Sequence, residues 1–380
     1  MRTVTPYRIC SNCVMDTSDP RIVFDERGVC DHCRGFYRDV LPNWHPNERG
    51  KEMFRREVAA IKKQARGKPY DCIMGMSGGL DSSYLLHLAV AEFGLRPLVF
   101  HVDGGWNTDI AVNNIQMLVE KLGLELFTEV ISWPAMRDFQ LAFFKSGTPH
   151  LDIPQDHAFF GTMFHFANKY GVKCILNGGN FSTECIRNPK DWLYYGTDMP
   201  MINDIRARFC TTDMEGYPFS GILYHKVFLR YVKGIRVVRP LNYLPYTKAT
   251  AIQTLSEKYG WKSYPQKHFE SRFTKFYEGY WLPTRFGYDT RRVQYSSLIV
   301  TEQMTRAEAL KRLESPPYDP AVIDEEFEYI ATKLGIGVEE LQHYHQMPLK
   351  WFRDYKNQEW LFDLGARVMK LMGLERAIKR

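Results

Sequence analysis

The stretch MGMSGGLDSS, residues 74–83, decides the fold predicted for this chain of 380 residues. The apolar run at residues 70–74 predicts a buried parallel strand, and the run at residues 84–91 predicts a helix packed on a sheet. The glycines between them allow backbone N–H groups to point into one concavity, to which the helix N-terminus adds positive partial charge. We therefore predict a polyphosphate site in which Asp81 faces a Mg²⁺ ion. The plain alternative is a strand–helix turn in which Asp81 acts as a cap.

Strands and helices are predicted to alternate along most of the chain that follows. The predicted strands are 96–103, 125–130, 173–176 and 236–241, and the predicted helices are 109–122, 134–144, 157–170 and 247–259. This alternation is typical of an α/β fold with a doubly wound, mostly parallel sheet that binds ligands at the carboxyl ends of its strands. The second glycine-rich loop, residues 177–180, should therefore face the loop at 77–83 across the sheet.

Four cysteines near the N-terminus have the spacing C-x2-C-x16-C-x2-C, and they are Cys10, Cys13, Cys30 and Cys33. Two such pairs joined by a hairpin are typical of a closed tetrahedral Zn²⁺ site with a structural role. Redox chemistry is the alternative, but a single pair would suffice for it. We predict a zinc-binding N-terminal module over residues 1–45.

Two further segments allow both a functional and a structural interpretation. In the loop at 151–157, Asp152, Asp156 or His157 could lie at a substrate pocket, or Asp156 could simply cap the next helix. The stretch 261–295 is rich in aromatic and basic residues. It could form a base-stacking and phosphate-binding surface, or a helical core with a solvated basic face.

Composition and charge exclude several classes of protein. The net charge of +6 suits a negatively charged small substrate but is too small to indicate nucleic-acid binding. Residues 1–10 lack the apolar core of a signal peptide, and no apolar run approaches the length of a membrane span. Paired cysteines fit metal binding in a reducing cytoplasm. We expect a core domain at 46–260 and a helical substrate or partner region at 261–380.

Residues 77–82, SGGLDS, match the SGGxDS signature of the PP-loop ATP pyrophosphatases. The resemblance implies a PP-loop, HUP-like fold that cleaves ATP between its α- and β-phosphates and adenylates a substrate oxygen. It implies that ATP is held by Ser77, Gly78, Gly79, Asp81, Ser82, Ser83, Gly178 and Gly179, and its adenine by His101, Val102 and Asp103. Glu184, beyond the second loop, becomes a candidate for deprotonating ammonium or orienting the acceptor; the alternative is an acid at a helix start. Lys248, after Arg-Pro-Leu at 239–241, resembles a lysine that neutralises the departing pyrophosphate.

The chain as a whole resembles the N-acetyl sugar amidotransferases of bacterial O-antigen and flagellar-glycan biosynthesis. The segments that carry this resemblance are 10–20, 24–33, 267–276 and 286–292. It implies ATP-dependent conversion of an acetamido to an acetamidino group on a nucleotide-linked sugar, such as a UDP-diacetamido-uronic acid, or on a nonulosonic acid. It also implies a HisH-like glutaminase and a HisF-like subunit as partners that supply ammonia, because the chain contains no recognisable glutaminase.

Two other functions stay open at this point. A tRNA thiolase of the same superfamily would need a sulfur-handling cysteine, and Cys174 and Cys185 bracket the second glycine loop. A non-catalytic, zinc-containing nucleotide-binding scaffold is the third hypothesis, and consumption of ATP would exclude it.

Overall fold

A computed structural model of the protein describes residues 6–371, without the side chains of residues 225–227 and 369–370. Its centre is a five-stranded sheet in the order β3-β2-β1-β4-β5, in which every neighbouring pair is parallel. The strands are β1 Cys72–Gly75, β2 Pro97–Asp103, β3 Leu126–Val130, β4 Cys174–Leu176 and β5 Arg236–Val238. The predicted α/β class with a parallel sheet is confirmed.

Alternation along the strands produces two separate cores, one on each face of the sheet. In β1, Ile73 belongs to one buried cluster, whereas its neighbours Cys72 and Met74 belong to the other. β4 repeats this pattern with Ile175 on the first face and Leu176 on the second. Because successive side chains of a strand point to opposite faces, an almost wholly apolar strand can pack helices on both sides.

Helices connect these strands, and further helices precede β1 and follow β5 in the chain. They are α1 Asp31–Gly35, α2 Glu48–Gln64, α3 Leu80–His87, α4 Asp109–Lys121, α5 Trp133–Ser146, α6 Ile153–Lys169, α7 Phe181–Glu184, α8 Met199–Phe209, α9 Lys248–Tyr259, α10 Arg272–Phe276, α11 Arg291–Val300, α12 Arg306–Leu313, α13 Ile323–Leu334, α14 Val338–Gln346 and α15 Glu359–Leu371. π-Helical segments occupy Phe36–Val40, Leu88–Glu92, Tyr224–Val232 and Tyr277–Phe286, and 3₁₀ turns occupy Leu41–Asn43, Pro240–Asn242 and Phe352–Asp354.

Helices α2, α3, α4 and α9 contribute their buried residues to one face of the sheet, and α5, α6 and α8 contribute theirs to the other. Neither Asp81, for which capping is only the alternative, nor Asp156, for which capping is the favoured interpretation, acts as a helix cap. Helix α3 begins at Leu80 with Gly79 as its N-cap, so Asp81 does not cap it. Helix α6 begins at Ile153, earlier than predicted, because Pro154 is well suited to the first turn of a helix. Asp156 therefore lies inside that turn and is not a cap.

The cysteine-rich segment packs against the helices that follow the sheet domain. Arg306 donates to the backbone oxygens of Cys10 (2.8 Å) and Cys13 (3.0 Å), and Arg292 donates to the backbone oxygen of Val14 (2.9 Å). His32 is buried and bonded to Asp19, with 2.9 Å between Nε2 and Oδ2. The buried cluster on the face of the sheet covered by α5, α6 and α8 includes residues from all three predicted parts of the chain. The boundaries between those parts stay predictions. The ends of the first and third parts, 1–5 and 372–380, lie outside the described residues.

The topology brings two strand ends together at one place. β1 lies between β2 and β4, and the chain winds toward opposite edges of the sheet from these neighbours. The loops that follow β1 and β4 therefore meet at the switch point, where parallel sheets bind their ligands. Contact is close, since a Cβ built on Gly178 would lie 3.2 Å from the backbone carbon of Asp81. Within residues 6–371, no helix is long and apolar enough to cross a bilayer.

Candidate active site

A cleft of about 1070 Å³ opens at this switch point. One end is formed by the PP-loop, residues 75–82, and by the second glycine loop, 177–179. The other end is formed by the start of α6 together with His268 and Glu278, whereas Tyr264, Lys267 and Glu270 of the same aromatic and basic stretch contact the PP-loop.

The PP-loop has a turn that requires glycine at position 78. Gly78 has φ +79°, and a Cβ there would lie 2.6 Å from the backbone oxygen of Ala111. Its own carbonyl oxygen accepts hydrogen bonds from Tyr264 Oη (3.1 Å) and Trp261 Nε1 (3.3 Å). Because these two hydrogen bonds fix the carbonyl of Gly78, the turn keeps one conformation. Gly78 itself is not among the residues that line the cleft.

Hydroxyl groups line the inner side of the turn. Ser77 Oγ lies 3.2 Å from Ser82 Oγ and accepts a hydrogen bond of 3.2 Å from the N–H of Gly79. It also lies 3.3 Å from Oε1 of Glu270, whose carboxyl pKa is raised chiefly by burial. Ser83, in contrast, is fully buried and its Oγ has no hydrogen-bond partner among the described residues. Its side chain faces the core and not the cleft.

Asp81 lies at the centre of the polar contacts in the cleft. One carboxylate oxygen accepts hydrogen bonds from the hydroxyl of Tyr246 and from Nδ2 of Asn180 (3.2 Å). The other oxygen lies 2.7 Å from Nζ of Lys267. This carboxylate is therefore fixed in orientation by groups from three separate segments of the chain.

Lys267 bridges the two glycine loops. Its Nζ lies 2.7 Å from Asp81 and 2.6 Å from Oε1 of Glu184, so one ammonium neutralises a carboxylate from each loop. Burial opposes the charged form of Lys267, but these two carboxylates outweigh burial and raise its pKa. Burial likewise raises the pKa of Glu184, but the charge of Lys267 outweighs it and the net pKa is lowered. The N–H of Asn180 donates to the second oxygen of Glu184 at 3.2 Å.

The other predicted site residues divide into those that line the cleft and those that do not. His101, Val102, Gly178, Gly179 and Lys248 line it, whereas Asp103 does not. His101 is held by its ring nitrogens, since Nδ1 lies 2.7 Å from the carbonyl oxygen of Met76 and Nε2 lies 3.0 Å from Nδ2 of Asn107. The roles predicted for these residues stay predictions.

Lys248 is the first residue of α9 and makes no ion pair among residues 6–371. Burial lowers its pKa, and the nearby charges of Arg312 and Lys267 lower it further. All three cations line the cleft, but Lys267 is paired with Asp81 and Glu184 and Arg312 with Glu308, so of the three only Lys248 has no bonded carboxylate among the described residues. An anionic group bound beside Lys248 would relieve the repulsion among these cations.

Sequence reasoning did not identify Lys267, Tyr246 or Asn180 as contacts of Asp81. Lys267 is 186 residues away from Asp81, and the sequence around it shows only a basic, aromatic segment. Asn180 carried a weak signal, because it follows the second glycine pair and is the N-cap of α7. No feature of the sequence around Tyr246 indicated a contact with Asp81.

The far end of the cleft combines carboxylates with histidines. Asp152 and Asp156 line it, as do His268 and Glu278. Nδ1 of His268 lies 3.0 Å from Oε1 of Glu278, a buried carboxylate that outweighs desolvation and raises the pKa of His268 to about 9. His157 does not take part, since its ring nitrogens contact the backbone oxygen of Gly196 (2.6 Å) and the N–H of Ser220 (3.1 Å).

The four N-terminal cysteines form a separate centre that fits a zinc ion. All four are buried, and their sulfur atoms lie within 4.8 Å of one another. Tetrahedral Zn²⁺ with Zn–S bonds of about 2.3 Å requires sulfurs about 3.8 Å apart, close to the 3.6 Å between Cys13 and Cys30. Backbone N–H groups point at the sulfurs, as from Cys30 to Cys10 Sγ at 3.2 Å. The site can bind a metal with four thiolates and no open position, which suits a structural role.

Magnesium is the other ion implied by the PP-loop. Oxygen ligands suited to it are present, because Asp81, Glu184 and Glu270 all line the cleft. However, Lys267 already contacts the Asp81 oxygen that such an ion would need. A Mg²⁺ ion at Asp81 must therefore displace the lysine or bind through the other carboxylates, and its presence stays a prediction.

A family model of known proteins matches part of the chain. Residues 270–369 match the family model of the LPS biosynthesis protein WbpG-like, C-terminal domain. This match covers less than half of the chain and agrees with the expected resemblance to proteins of lipopolysaccharide biosynthesis. No curated protein sequence matches the chain significantly.

Several solved structures are similar to most of the chain. The NH₃-dependent NAD synthetase of Campylobacter jejuni subsp. jejuni NCTC 11168 has 13% identity, covers 79% of this chain and 98% of its own, and has a TM-score of 0.32. The NMN synthetase of Francisella tularensis has 14% identity, coverages of 79% and 97%, and a TM-score of 0.32. The glutamine-dependent NAD⁺ synthetase of Acinetobacter baumannii has 16% identity, coverages of 77% and 45%, and a TM-score of 0.29. The parallel strand order, and not these weak likenesses, defines the fold.

Proposed function

We propose that this protein is an ATP-dependent amidotransferase that converts an acetamido group of a nucleotide-linked N-acetyl sugar into an acetamidino group. A UDP-diacetamido-uronic acid represents the expected substrate class. The observation that carries the proposal is a shared cleft. The SGGLDS loop at 77–82 forms one wall, and the WbpG-like region contributes Glu270, Thr274 and Glu278 to the rest of the lining. A loop of the ATP pyrophosphatase type and a region typical of LPS biosynthesis proteins therefore contact the same ligand space.

The chemistry requires activation of the amide by ATP. An amide carbonyl is a poor electrophile and its oxygen is a poor leaving group. Transfer of AMP to that oxygen releases pyrophosphate and makes the oxygen part of a good leaving group. Lys248 supports this transfer, because its ammonium lines the cleft without a bonded carboxylate among the described residues and can stabilise the charge that develops on pyrophosphate. A bound Mg²⁺ would add Lewis acidity toward the phosphates.

Glu184 fits one of its two proposed roles better than the other. Its carboxylate is paired with Lys267 at 2.6 Å and its pKa is lowered, so it holds a proton poorly at neutral pH. Such a group is a weak base but a well-fixed hydrogen-bond acceptor. We therefore assign Glu184 to orienting Lys267 and the acceptor.

Ammonia would come from partner proteins, a HisH-like glutaminase working with a HisF-like subunit. This part of the proposal rests on the resemblance found in the sequence. Its test is amidine formation with glutamine as the only nitrogen source, in the presence and absence of those two proteins. Synthesis from glutamine by this chain alone would contradict it.

The thiolase alternative receives little support from the cysteines outside the zinc centre. Burial raises the pKa of Cys174 and of Cys185 to about 12, so both thiols are poor nucleophiles at neutral pH. Neither residue lines the cleft. Salt-sensitive binding of tRNA by the purified protein would revive this alternative.

The decisive experiment incubates the protein with ATP, Mg²⁺, ammonium chloride and a panel of UDP-linked acetamido sugars. Mass spectrometry is expected to show one sugar lighter by the difference between O and NH, with equimolar AMP and pyrophosphate. Nucleotide-sugar-independent hydrolysis of ATP, with every sugar unchanged across the panel, would contradict the proposal. The absence of any ATP consumption would favour the scaffold hypothesis.

A further inference from the structure

The far end of the cleft has a composition that ATP binding does not explain. Asp152 and Asp156 belong to the start of α6, whereas His268 and Glu278 come from the segment around α10. The phosphates of ATP are anionic, and the carboxyl groups of Asp152 and Asp156, which have no bonded cation among the described residues, do not suit them. This end must therefore face a different part of the reaction.

His268 and Glu278 form an ion pair with no net charge within this wall. Glu278 is 8% exposed, and its second carboxylate oxygen lies 3.5 Å from the hydroxyl of Thr290. His268 is 43% exposed and has φ +66°, which is uncommon for a residue other than glycine. The pair leaves Asp152 and Asp156 as the carboxylates without a cation bonded to them among the described residues.

A second observation at this end also indicates a small polar ligand. His150 is 3% exposed and lines the same cleft, yet its Nε2 has no hydrogen-bond partner among the described residues. Burial lowers the pKa of His150 to about 3, so the ring is neutral. A buried neutral imidazole with an unpartnered nitrogen is costly unless a ligand supplies the missing hydrogen bond.

We propose that the group formed by His150, Asp152, Asp156 and the His268–Glu278 pair, here called the carboxylate end, binds the incoming ammonia, and that Asp156 accepts the proton that the attacking nitrogen must lose. This inference rests on the function proposed above. It assigns to Asp156 the role of base that Glu184, paired with Lys267, fills poorly.

The reaction balances with this single base. The lone pair of ammonia forms the C–N bond to the O-adenylated acetamido carbon, and the C=N π pair moves to the sugar nitrogen. The new ammonium nitrogen gives one proton to Asp156. Its lone pair then forms the new C=N bond while the C–O bond breaks, and that electron pair leaves with AMP. The product is an acetamidinium cation.

Asp156 meets the requirements of such a base better than its neighbours. Its side chain is exposed to the cleft, so a substrate can reach it. Asp152 is more enclosed and accepts hydrogen bonds from Gln155 (2.9 Å) and Thr274 (3.4 Å). Burial within the cleft raises the pKa of Asp156 to about 6, close to where a base works best at neutral pH. The titratable groups whose charges act on it are Asp152, His268 and Glu278.

The test separates the two half-reactions in the variant Asp156→Asn. Substrate-dependent exchange of labelled pyrophosphate into ATP measures adenylation and should stay within about threefold of the unmodified protein. Amidine formation with ammonium chloride should fall by about 10² to 10⁴, the usual contribution of a general base. The limb of the pH profile that rises through about pH 6 should disappear. Asp156→Glu should recover part of the rate, and Asp109→Asn, an exposed carboxylate outside the cleft, should change neither reaction.

Two results would overturn the inference in different ways. Normal amidine formation by Asp156→Asn, with an unchanged pH profile, would refute the role of Asp156 while leaving the proposed function intact. Absence of substrate-dependent exchange in the unmodified protein would refute both. Equal loss of exchange and amidine formation in Asp156→Asn would show that the carboxylate supports the site as a whole, and would also refute the assignment.

Discussion

At the scale of single residues, the arrangement of the site follows from one ammonium group neutralising two carboxylates. Lys267 serves both Asp81 and Glu184, and Tyr246 and Asn180 complete the contacts of Asp81. Removing one member leaves the others with an uncompensated charge in a partly buried place, which costs more than a surface pair would. The effects of substitutions here should therefore not be additive.

The first prediction concerns Asp81. Asp81→Asn keeps the size of the side chain but removes the charge that fixes Lys267 and any bound cation. We expect substrate-dependent release of pyrophosphate to fall at least about 100-fold, the usual scale for loss of a preorganised electrostatic contact. Circular dichroism should show an unchanged fold. A rate within about threefold of the unmodified protein would contradict the catalytic interpretation of the PP-loop.

The second prediction concerns His268 and pH. Its pKa is raised from the usual 6.5 to about 9 by Glu278, so it binds a proton more tightly in the folded state. This contribution to stability is fully present below about pH 6.5 and is lost as the pH rises through about 9. In His268→Gln that dependence should be absent. Urea unfolding at about pH 6 and about pH 10 measures this dependence. An equal change in unfolding free energy between the two pH values in His268→Gln and in the unmodified protein would contradict the ion pair.

At the scale of elements, the strand–turn–helix unit around the PP-loop is fixed by backbone geometry. The turn carries a left-handed glycine, and its carbonyl is bonded from behind by Trp261 and Tyr264. Both aromatic residues belong to the segment after α9, so this segment stabilises the loop from outside the sheet. That contact explains part of the aromatic stretch as structural.

The third prediction compares two glycines with the same conformation. Gly78 and Gly67 have φ of +79° and +78°, but a Cβ on Gly67 would meet nothing within 4 Å. Gly67→Ala should cost only the backbone strain, about 1–2 kcal/mol. Gly78→Ala adds a clash with the backbone of Ala111, so it should destabilise more and abolish ATP-dependent activity. If Gly78→Ala had the same unfolding free energy and the same activity as Gly67→Ala, the turn at Gly78 would be shown to tolerate a side chain.

At the scale of the whole molecule, the cysteine centre, the sheet and the C-terminal helices share one buried cluster. Phe36, Phe139 and Phe273 all belong to it, although they come from the three parts predicted separately. Metal binding at the N-terminus should therefore stabilise distant helices. Arg306 of α12 provides the link, because it donates directly to the loop of the first cysteine pair.

The fourth prediction concerns this coupling. Cys30→Ser should lower bound zinc to well below one per chain and reduce Tm by at least about 5 °C, since loss of a metal is among the large destabilising changes. Hydrogen exchange should increase in α11 and α12. Cys210→Ser, at a cysteine outside the four-cysteine group, is the control and should keep its zinc. Full zinc occupancy in Cys30→Ser would refute the assignment of these ligands.

The sequence by itself determined the parallel sheet, the PP-loop and the four-cysteine group, because each depends on local patterns of apolar residues, glycines or cysteines. Only the tertiary structure decided which charges meet. Lys267, Tyr246 and Asn180 reach Asp81 from distant segments, and the pairing of Glu184 with Lys267 changes what that carboxylate can do. The physical reason is that pKa and ion pairing depend on distances across the fold and on desolvation, which no local pattern in the chain encodes.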